Sequence, residues 1–287
     1  MFNKRHIVRT IAATVSILAL SFTAACGSGQ STASNSTDSD DITQQTYKPG
    51  KLTIATGQPA YEPWVMNDKP ESGEGYEAAV AYAVADKLGF KKSDVMWTRT
   101  AFDTAIAPGA KDWDFNIQQF GITDERKKAV DFSSSYYNDS QSVVVKKDSK
   151  FANATKVSDL KDATVGVMVG TLAYDYAKAN IKDDIQTFND DAALAQALDA
   201  GQIDALVTST VECVYMVQSE QVKDAKVLGR LPDSEDKSGM GIVLPKDSKL
   251  TAAVTKAVDD LNADGTIKKL QDKWLAEYTT DLTELKK

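Results

Sequence analysis

Alternating apolar and polar residues open the folded part of the chain, and helical segments follow. Residues 51–56, KLTIAT, alternate and are rich in β-branched side chains, which predicts a strand. Residues 77–88, EAAVAYAVADKL, predict a long helix that Gly89 ends. A strand at 95–98, a helix at 102–106 and a strand at 112–117 come next. This β-α-β-α-β order predicts a mostly parallel sheet with helices on both faces.

A second set of strands and helices follows residue 137. The apolar run at 164–169 predicts a buried strand, and a helix continues from it to residue 179. Further strands are predicted at 142–145, 205–207, 227–231 and 240–244, and further helices at 191–200, from 209, at 250–263 and at 266–278.

The segment between these two sets, residues 118–137, carries the first candidate for chemistry. Gly121 interrupts an apolar run, and Arg126 follows with two more cations at Lys127 and Lys128. An arginine presents a planar fork of donors that fits a carboxylate, and a lysine does not. On the residues alone the segment is a strand, a turn and a solvated charged helix, and a ligand-binding role for Arg126 stays open.

Composition and charge exclude several classes of protein. The 287 residues are 42% hydrophobic and 26% charged, as in ordinary globular proteins. The net charge is -8, and it becomes -11 without residues 1–25, which carry three cations and no acid. An acidic chain is a poor binder of nucleic acid. The only histidine, His6, lies in that first segment, so the remainder has no histidine-based catalytic pair or metal site.

The N-terminus has the features of a secretory signal. Basic residues precede an apolar run that is too short to span a bilayer, and small residues then lead to Cys26. Residues 1–25 are predicted to be a signal peptide, and Cys26 resembles the lipidated cysteine of a lipobox, although Thr23 departs from that motif. Residues 26–46 are rich in Ser, Thr, Gly and Asp, which predicts a flexible tether. Cys213 is then a free buried thiol.

Two motifs resemble those of the family-3 extracellular solute-binding proteins, the amino-acid receptors of ABC importers. Residues 121–137, GITDERKKAVDFSSSYY, match one signature, and residues 261–275, LNADGTIKKLQDKWL, match the other. The resemblance extends over about residues 51–277. It implies an α/β, two-lobed periplasmic-binding-protein fold of type II, with two mixed, mostly parallel sheets joined by a two-strand hinge. Lobe 1 is expected at 47–142 and 237–287, and lobe 2 at 143–236.

The resemblance also implies a carboxylate site and a pocket wall. The family arginine that grips the ligand α-carboxylate corresponds to Arg126, assisted by backbone N–H groups near Gly121 and Thr171. Gln119 and Gly121 stand where relatives often have serine. The aromatic wall corresponds to Tyr61, Trp64 and Phe102, each of which has core packing as its alternative, and helix capping is the alternative for Thr171.

The expected site for the ligand ammonium departs from the family. Ser209 stands where relatives have the aspartate that holds the α-amino group. Glu212, one helical turn on, is a candidate substitute, but Ser209 and Glu212 also form a capping-box pattern. Glu74 and Glu77 are further candidate acids, with a helix N-terminus as their alternative role.

The expected function is that of an extracytoplasmic, lipid-anchored binding protein that captures a polar amino acid between two lobes and delivers it to an ABC permease. We expect a monomer with no cofactor, no metal, no nucleic-acid partner and no enzymatic activity. The alternatives are a ligand that lacks a free α-ammonium, motivated by Ser209, and an enzyme on the same fold with Glu62, Glu74 or Glu212 as general acid.

Overall fold

The computed structural model describes residues 41–279 and 282–287. The predicted signal peptide, the predicted lipidation site at Cys26 and residues 26–40 of the predicted tether lie outside this part of the chain. Residues 41–46 belong to the fold, because Ile42 packs against the first hydrophobic core and Thr46 is buried. The predicted tether is therefore too long at its C-terminal end.

The described residues form ten strands and seven α-helices. The strands are β1 (Leu52–Thr56), β2 (Val95–Arg99), β3 (Phe115–Asn116), β4 (Val130–Tyr137), β5 (Gln141–Lys146), β6 (Val165–Met168), β7 (Gln186–Phe188), β8 (Ala205–Ser209), β9 (Ala225–Arg230) and β10 (Met240–Pro245). The helices are α1 (Tyr76–Lys87), α2 (Phe102–Ile106), α3 (Leu172–Asn180), α4 (Asp191–Asp199), α5 (Thr210–Gln218), α6 (Thr251–Ala263) and α7 (Thr266–Trp274). None of these helices is long and apolar enough to cross a membrane.

The strands form two five-stranded sheets, with the orders β2-β1-β3-β10-β4 and β7-β6-β8-β5-β9. In the first sheet β1 pairs in parallel with β2 and β3, and β10 pairs antiparallel with β3 and β4. In the second sheet β6 pairs in parallel with β7 and β8, and β5 pairs antiparallel with β8 and β9. Both sheets are mixed, as expected, but their parallel and antiparallel pairings are equal in number.

Helices cover both sheets with separate cores. The first core joins β1, β3 and β10 to α1, α6 and α7, and the fully buried Trp64 and Tyr76 lie in it. In the second sheet, side chains of α3 pack in one core and side chains of α4 and α5 pack in another. The two sheets therefore have hydrophobic cores that are largely separate, as a two-lobed architecture requires.

The segment after Gly121 differs from the strand, turn and charged helix predicted from its residues alone. Arg126–Lys128 forms a single 3-10 turn, and the eight-residue strand β4 follows it. The buried positions of β4 are Val130, Ser133, Tyr136 and Tyr137, and its pairing with β10 contains register shifts. A strand without two-residue alternation escapes a search for that period.

The chain passes between the sheets twice. Residues 138–140 connect β4 to β5, and residues 231–239 connect β9 back to β10. The C-terminal residues 282–287 do not stay with the first sheet, where the prediction placed all of 237–287. The Leu285 N–H donates to the Arg230 carbonyl at 2.9 Å, and the Leu285 side chain is buried in the second sheet's core. This apolar contact attaches the chain end to β9.

Candidate ligand-binding site

A cavity lies between the two sheets, at the ends of the strands. From the first sheet it is lined by the loop after β1, the start of α2 and the loop after β3. From the second sheet it is lined by the starts of α3 and α4, the end of β8 and the first turn of α5. Ligands of open α/β sheets bind in this position, beyond the carboxyl ends of parallel strands.

Arg126 crosses this cavity. Its Nη1 donates to the Gly121 carbonyl at 2.6 Å, and its Nη2 donates to the Gly170 carbonyl at 2.9 Å. The guanidinium carbon lies 5.5 Å from the centre of the Phe102 ring. Burial lowers the pKa of Arg126, but an arginine keeps its charge at any physiological pH. A half-buried, charged fork whose hydrogen bonds go to neutral carbonyls is suited to receive an anion.

Gly121 permits the close approach of the two lobes at this point. A Cβ atom at residue 121 would lie 2.5 Å from Leu172 Cδ1 and 2.8 Å from Asp236 Oδ2. Both distances are shorter than real Cβ contacts, so even an alanine would push Leu172 away. The absence of a side chain at Gly121 therefore makes room for Leu172, which faces it from α3.

Thr171 caps helix α3. Its hydroxyl accepts a hydrogen bond from the Tyr174 N–H at 3.2 Å and donates to the Met168 carbonyl at 2.8 Å. Thr171 also lines the cavity, so its backbone N–H group lies where a helix N-terminus favours an anion. The capping role is present in the structure, and a ligand contact through the backbone is compatible with it.

The three predicted wall residues have different surroundings. Phe102 lines the cavity and stacks on Phe120 with ring centres 4.6 Å apart. Tyr61 also lines it, and its hydroxyl accepts from the Ala192 N–H at 3.3 Å. Trp64 is fully buried in the first core and packs against Tyr76, with ring centres 6.0 Å apart. For Trp64 the core alternative therefore describes its position, because no part of the side chain is exposed.

Ser209 and Glu212 both line the cavity and form a helix cap together. The Ser209 hydroxyl accepts from the Glu212 N–H at 3.3 Å at the start of α5. The Glu212 carboxylate accepts from the Thr208 hydroxyl at 2.8 Å. Burial raises the pKa of Glu212 above its usual value, although hydrogen bonds from Thr208 and Ser209 favour the charged form.

Three further acids of the lining were not predicted: the half-buried Asp236 and the buried Asp139 and Asp191. Asp139 lies in the first crossing segment, where it accepts from the Ser140 N–H at 2.7 Å, and burial raises its pKa to about 7. Asp191 opens α4, and burial and the nearby Glu212 raise its pKa well above the usual range. Both residues occur in ordinary polar contexts, a crossing loop and a helix start, so the sequence holds no signal that separates them from surface acids.

Glu77 stabilises the loop after β3, which lines the cavity. It is fully buried at the start of α1, and its carboxylate accepts from the Gln119 N–H at 2.8 Å and from the Tyr136 hydroxyl. Burial raises the pKa of Glu77 to about 7. Gln119 has a positive φ of 50°, so these bonds hold the loop after β3 in an uncommon conformation. Glu74 is not among the residues that line the cavity.

Comparison with known proteins decides the family. Residues 52–277 match the family described as bacterial extracellular solute-binding proteins, family 3. The chain belongs to this family.

Individual relatives and solved structures support this family assignment. The L-arginine-binding protein of Pseudomonas aeruginosa is 29% identical over 245 residues, which cover 80% of this chain and 88% of that protein. The L-cystine-binding protein TcyJ of Escherichia coli is 30% identical over 223 residues, covering 77% and 81%. An ancestral arginine-binding protein bound to arginine shares 31% identity at a TM-score of 0.67, covering 78% of this chain and 98% of that one. The two-lobed type II fold is thereby confirmed.

Within the family-3 fold, the cavity brings together all but one of the predicted ligand-binding residues. Those that line it are Tyr61, Phe102, Gln119, Gly121, Arg126, Thr171, Ser209 and Glu212, and only Trp64 does not. Among the described residues, no group of acidic, histidine and cysteine side chains is arranged to hold a metal ion.

Proposed function

We propose that this chain is an extracytoplasmic substrate-binding lipoprotein that closes on a polar amino acid and delivers it to an ABC permease. One lobe comprises residues 41–142 and 237–279, and the other comprises residues 143–236 with the chain end 282–287. The relatives in the family are amino-acid-binding proteins, which supports capture of an amino acid. The observation that carries the proposal is the position of Arg126 between the lobes.

Arg126 supplies the carboxylate half of the site. Its two carbonyl partners, Gly121 and Gly170, belong to different lobes, so the guanidinium already joins both sides of the cavity. A ligand carboxylate would take the place of these neutral acceptors, and hydrogen bonds to charged partners are roughly twice as strong. Binding between the lobes therefore favours closure, because the ligand contacts both of them only in the closed form.

Two other hydrogen bonds cross the cavity and connect the lobes. The Tyr61 hydroxyl accepts from the N–H of Ala192 at the start of α4, and the Tyr215 hydroxyl donates to Glu62 Oε2 at 3.1 Å. These bonds join the loop after β1 to helices of the second lobe. A permease that recognises the closed form would sense the lobe separation that such bonds fix.

A ligand without an α-ammonium is the weaker alternative. Ser209 does remove the family's acceptor, but Asp139, Asp191 and Glu212 all line the same cavity. Buried carboxylates favour a cationic group over a neutral one. No such observation supports an enzymatic role, and the two relatives named above are amino-acid-binding proteins.

Native mass spectrometry tests the proposal. The protein is mixed with the twenty common L-amino acids, desalted and sprayed under non-denaturing conditions. We expect a mass increment of one amino acid on the wild type and none on Arg126→Ala. A wild-type protein that carries no amino acid would contradict the proposed function.

The lipid anchor and the permease need separate tests. Cys26→Ser is expected to move the protein from the membrane fraction to the supernatant, and an unchanged membrane fraction would contradict the anchor. Liganded protein is expected to stimulate ATP hydrolysis by its permease complex in proteoliposomes more than unliganded protein does. Equal rates would contradict delivery of the closed form.

A further inference from the structure

The charges that line the cavity do not balance. Arg126 is the single cation among the described lining residues, and four acids face the same space: Asp139, Asp191, Glu212 and Asp236. Asp236 interacts electrostatically with Arg126, whereas the other three acids lie toward the second lobe. None of the ion pairs formed within the described part of the chain includes Asp139, Asp191 or Glu212.

Asp191 is the least satisfied of these acids. The residue is 7% exposed, and the one side-chain hydrogen bond that its carboxylate makes to the described residues is a long contact from the Thr208 hydroxyl, at 3.5 Å. Glu212, also 7% exposed, takes the same hydroxyl at 2.8 Å. Two buried carboxylates that share one donor repel each other when both are charged, and either protonation of one of them or a bound cation removes that repulsion.

An amino acid with a neutral side chain brings too little positive charge to keep Asp139, Asp191 and Glu212 all ionised. Its carboxylate occupies Arg126, and its α-ammonium compensates one acid of the three. A side chain with its own cation compensates a second. A ligand such as L-cystine also brings a second cation, but its second carboxylate would enter a cavity whose one arginine is already engaged.

We propose, on the basis of the function proposed above, that the cleft selects amino acids with a cationic side chain, with Glu212 holding the α-ammonium and Asp191 holding the side-chain cation. Glu212 lines the cavity beside Ser209, the position that the family resemblance gives to the ammonium acceptor. Asp191 immediately precedes Ala192, whose N–H donates to the hydroxyl of the wall residue Tyr61, so we assign the side-chain cation to Asp191.

Pairs of ligands that differ by one charge test this selection. Calorimetry compares L-arginine with L-citrulline, which has nearly the same shape but no charge, and L-lysine with L-norleucine. We expect the charged member of each pair to bind roughly 10–100-fold more tightly, the range expected for hydrogen bonds to a charged group. L-cystine is expected to bind more weakly than L-arginine.

Variants of Asp191 and Glu212 test which cation of the ligand each acid holds. Asp191→Asn is expected to remove most of the preference for L-arginine over L-citrulline while citrulline binding changes little. Glu212→Gln is expected to weaken both ligands by a similar factor. Asp190→Asn is the matched control, because it removes the neighbouring charge but keeps a residue that caps α4 through the Ala193 N–H. This control is expected to retain the preference.

The outcomes separate the two proposals. Equal affinity for arginine and citrulline in the wild type, or tighter binding of cystine than of arginine, would overturn the selection and leave the proposed function standing. A preference for arginine that survives Asp191→Asn would overturn the role of Asp191. Failure of every amino acid to bind would instead remove the proposed function. Citrulline binding by Asp191→Asn shows that the variant is folded, and the wild-type ligand pairs need no variant.

Discussion

Arg126 Nη2 donates to the Gly170 carbonyl at 2.9 Å, so a side chain from the loop after β3 bonds directly to the turn before α3. This bond spans the cavity and connects the two lobes. It places a half-buried cation where a ligand carboxylate would meet both lobes, and the proposed function depends on it.

Replacing Arg126 tests that dependence. We expect Arg126→Ala to weaken binding of the preferred amino acid by about 100-fold or more, because breaking a buried charge pair costs about 3–5 kcal/mol. Arg126→Lys is expected to lose less, since it keeps the charge but not the fork. Calorimetry measures both. Lys127→Ala is the control, because Lys127 is half exposed and forms an ion pair with the exposed Asp124; it should bind like the wild type.

The lack of a side chain at Gly121 is expected to allow the two lobes to close on the ligand. Gly121→Ala is expected to weaken binding by roughly 5–100-fold, because overpacking costs about 1–3 kcal/mol and Leu172 Cδ1 lies only 2.5 Å from the added Cβ position. Leu172→Ala in the same chain should recover much of the loss. Calorimetry of the two single variants and the double variant measures the coupling. Additive losses would show that the two residues do not meet in the bound state.

Local pattern predicted much of the fold. Helix α1 and strand β1 were found within a residue or two of their bounds, because their composition and end signals agree with their structure. Strand β4 was missed, because its pairing with β10 is irregular and its buried residues include serine. The short strand β7 was missed as well, and its residues are mostly exposed.

The site was predicted mainly through the family motif around Arg126. Asp139 and Asp191 were not predicted, because their burial arises only when a crossing segment and a helix start meet across the cavity. Trp64 was expected near the wall, yet its position in the core depends on the packing of Tyr76 and Tyr137 around it. Such properties belong to the tertiary structure, so spacing along the chain does not reveal them.

Ser209 is predicted to act on stability more than on affinity. Its hydroxyl caps α5 through the Glu212 N–H, and loss of such a cap costs about 0.5–2 kcal/mol. Ser209→Ala should lower the free energy of unfolding by that amount and leave ligand affinity within a few-fold. Denaturant titration and calorimetry measure the two effects. Ser209→Asn, which retains a capping group, should restore stability; a large loss of affinity in Ser209→Ala would show a direct ligand contact instead.

Glu77 predicts how stability changes with pH. Its folded pKa is about 7, raised by burial from the usual 4.5, so the folded state holds a proton that the unfolded state releases. The stabilisation from this group is complete below about pH 4 and is lost as the pH rises toward and through 7, with a total of about 3 kcal/mol. Thermal unfolding of the unliganded protein should show a steeper loss between pH 5 and 8 in the wild type than in Glu77→Gln. Identical slopes would contradict the raised pKa.

The central claim is that the cavity between the lobes binds an amino acid through Arg126. Calorimetric titration of the purified, ligand-free protein with each common L-amino acid tests it most directly. We expect at least one amino acid with a cationic side chain to bind with a dissociation constant of about a micromolar or tighter. Failure of every L-amino acid to bind more tightly than about a millimolar would contradict an amino-acid site at Arg126.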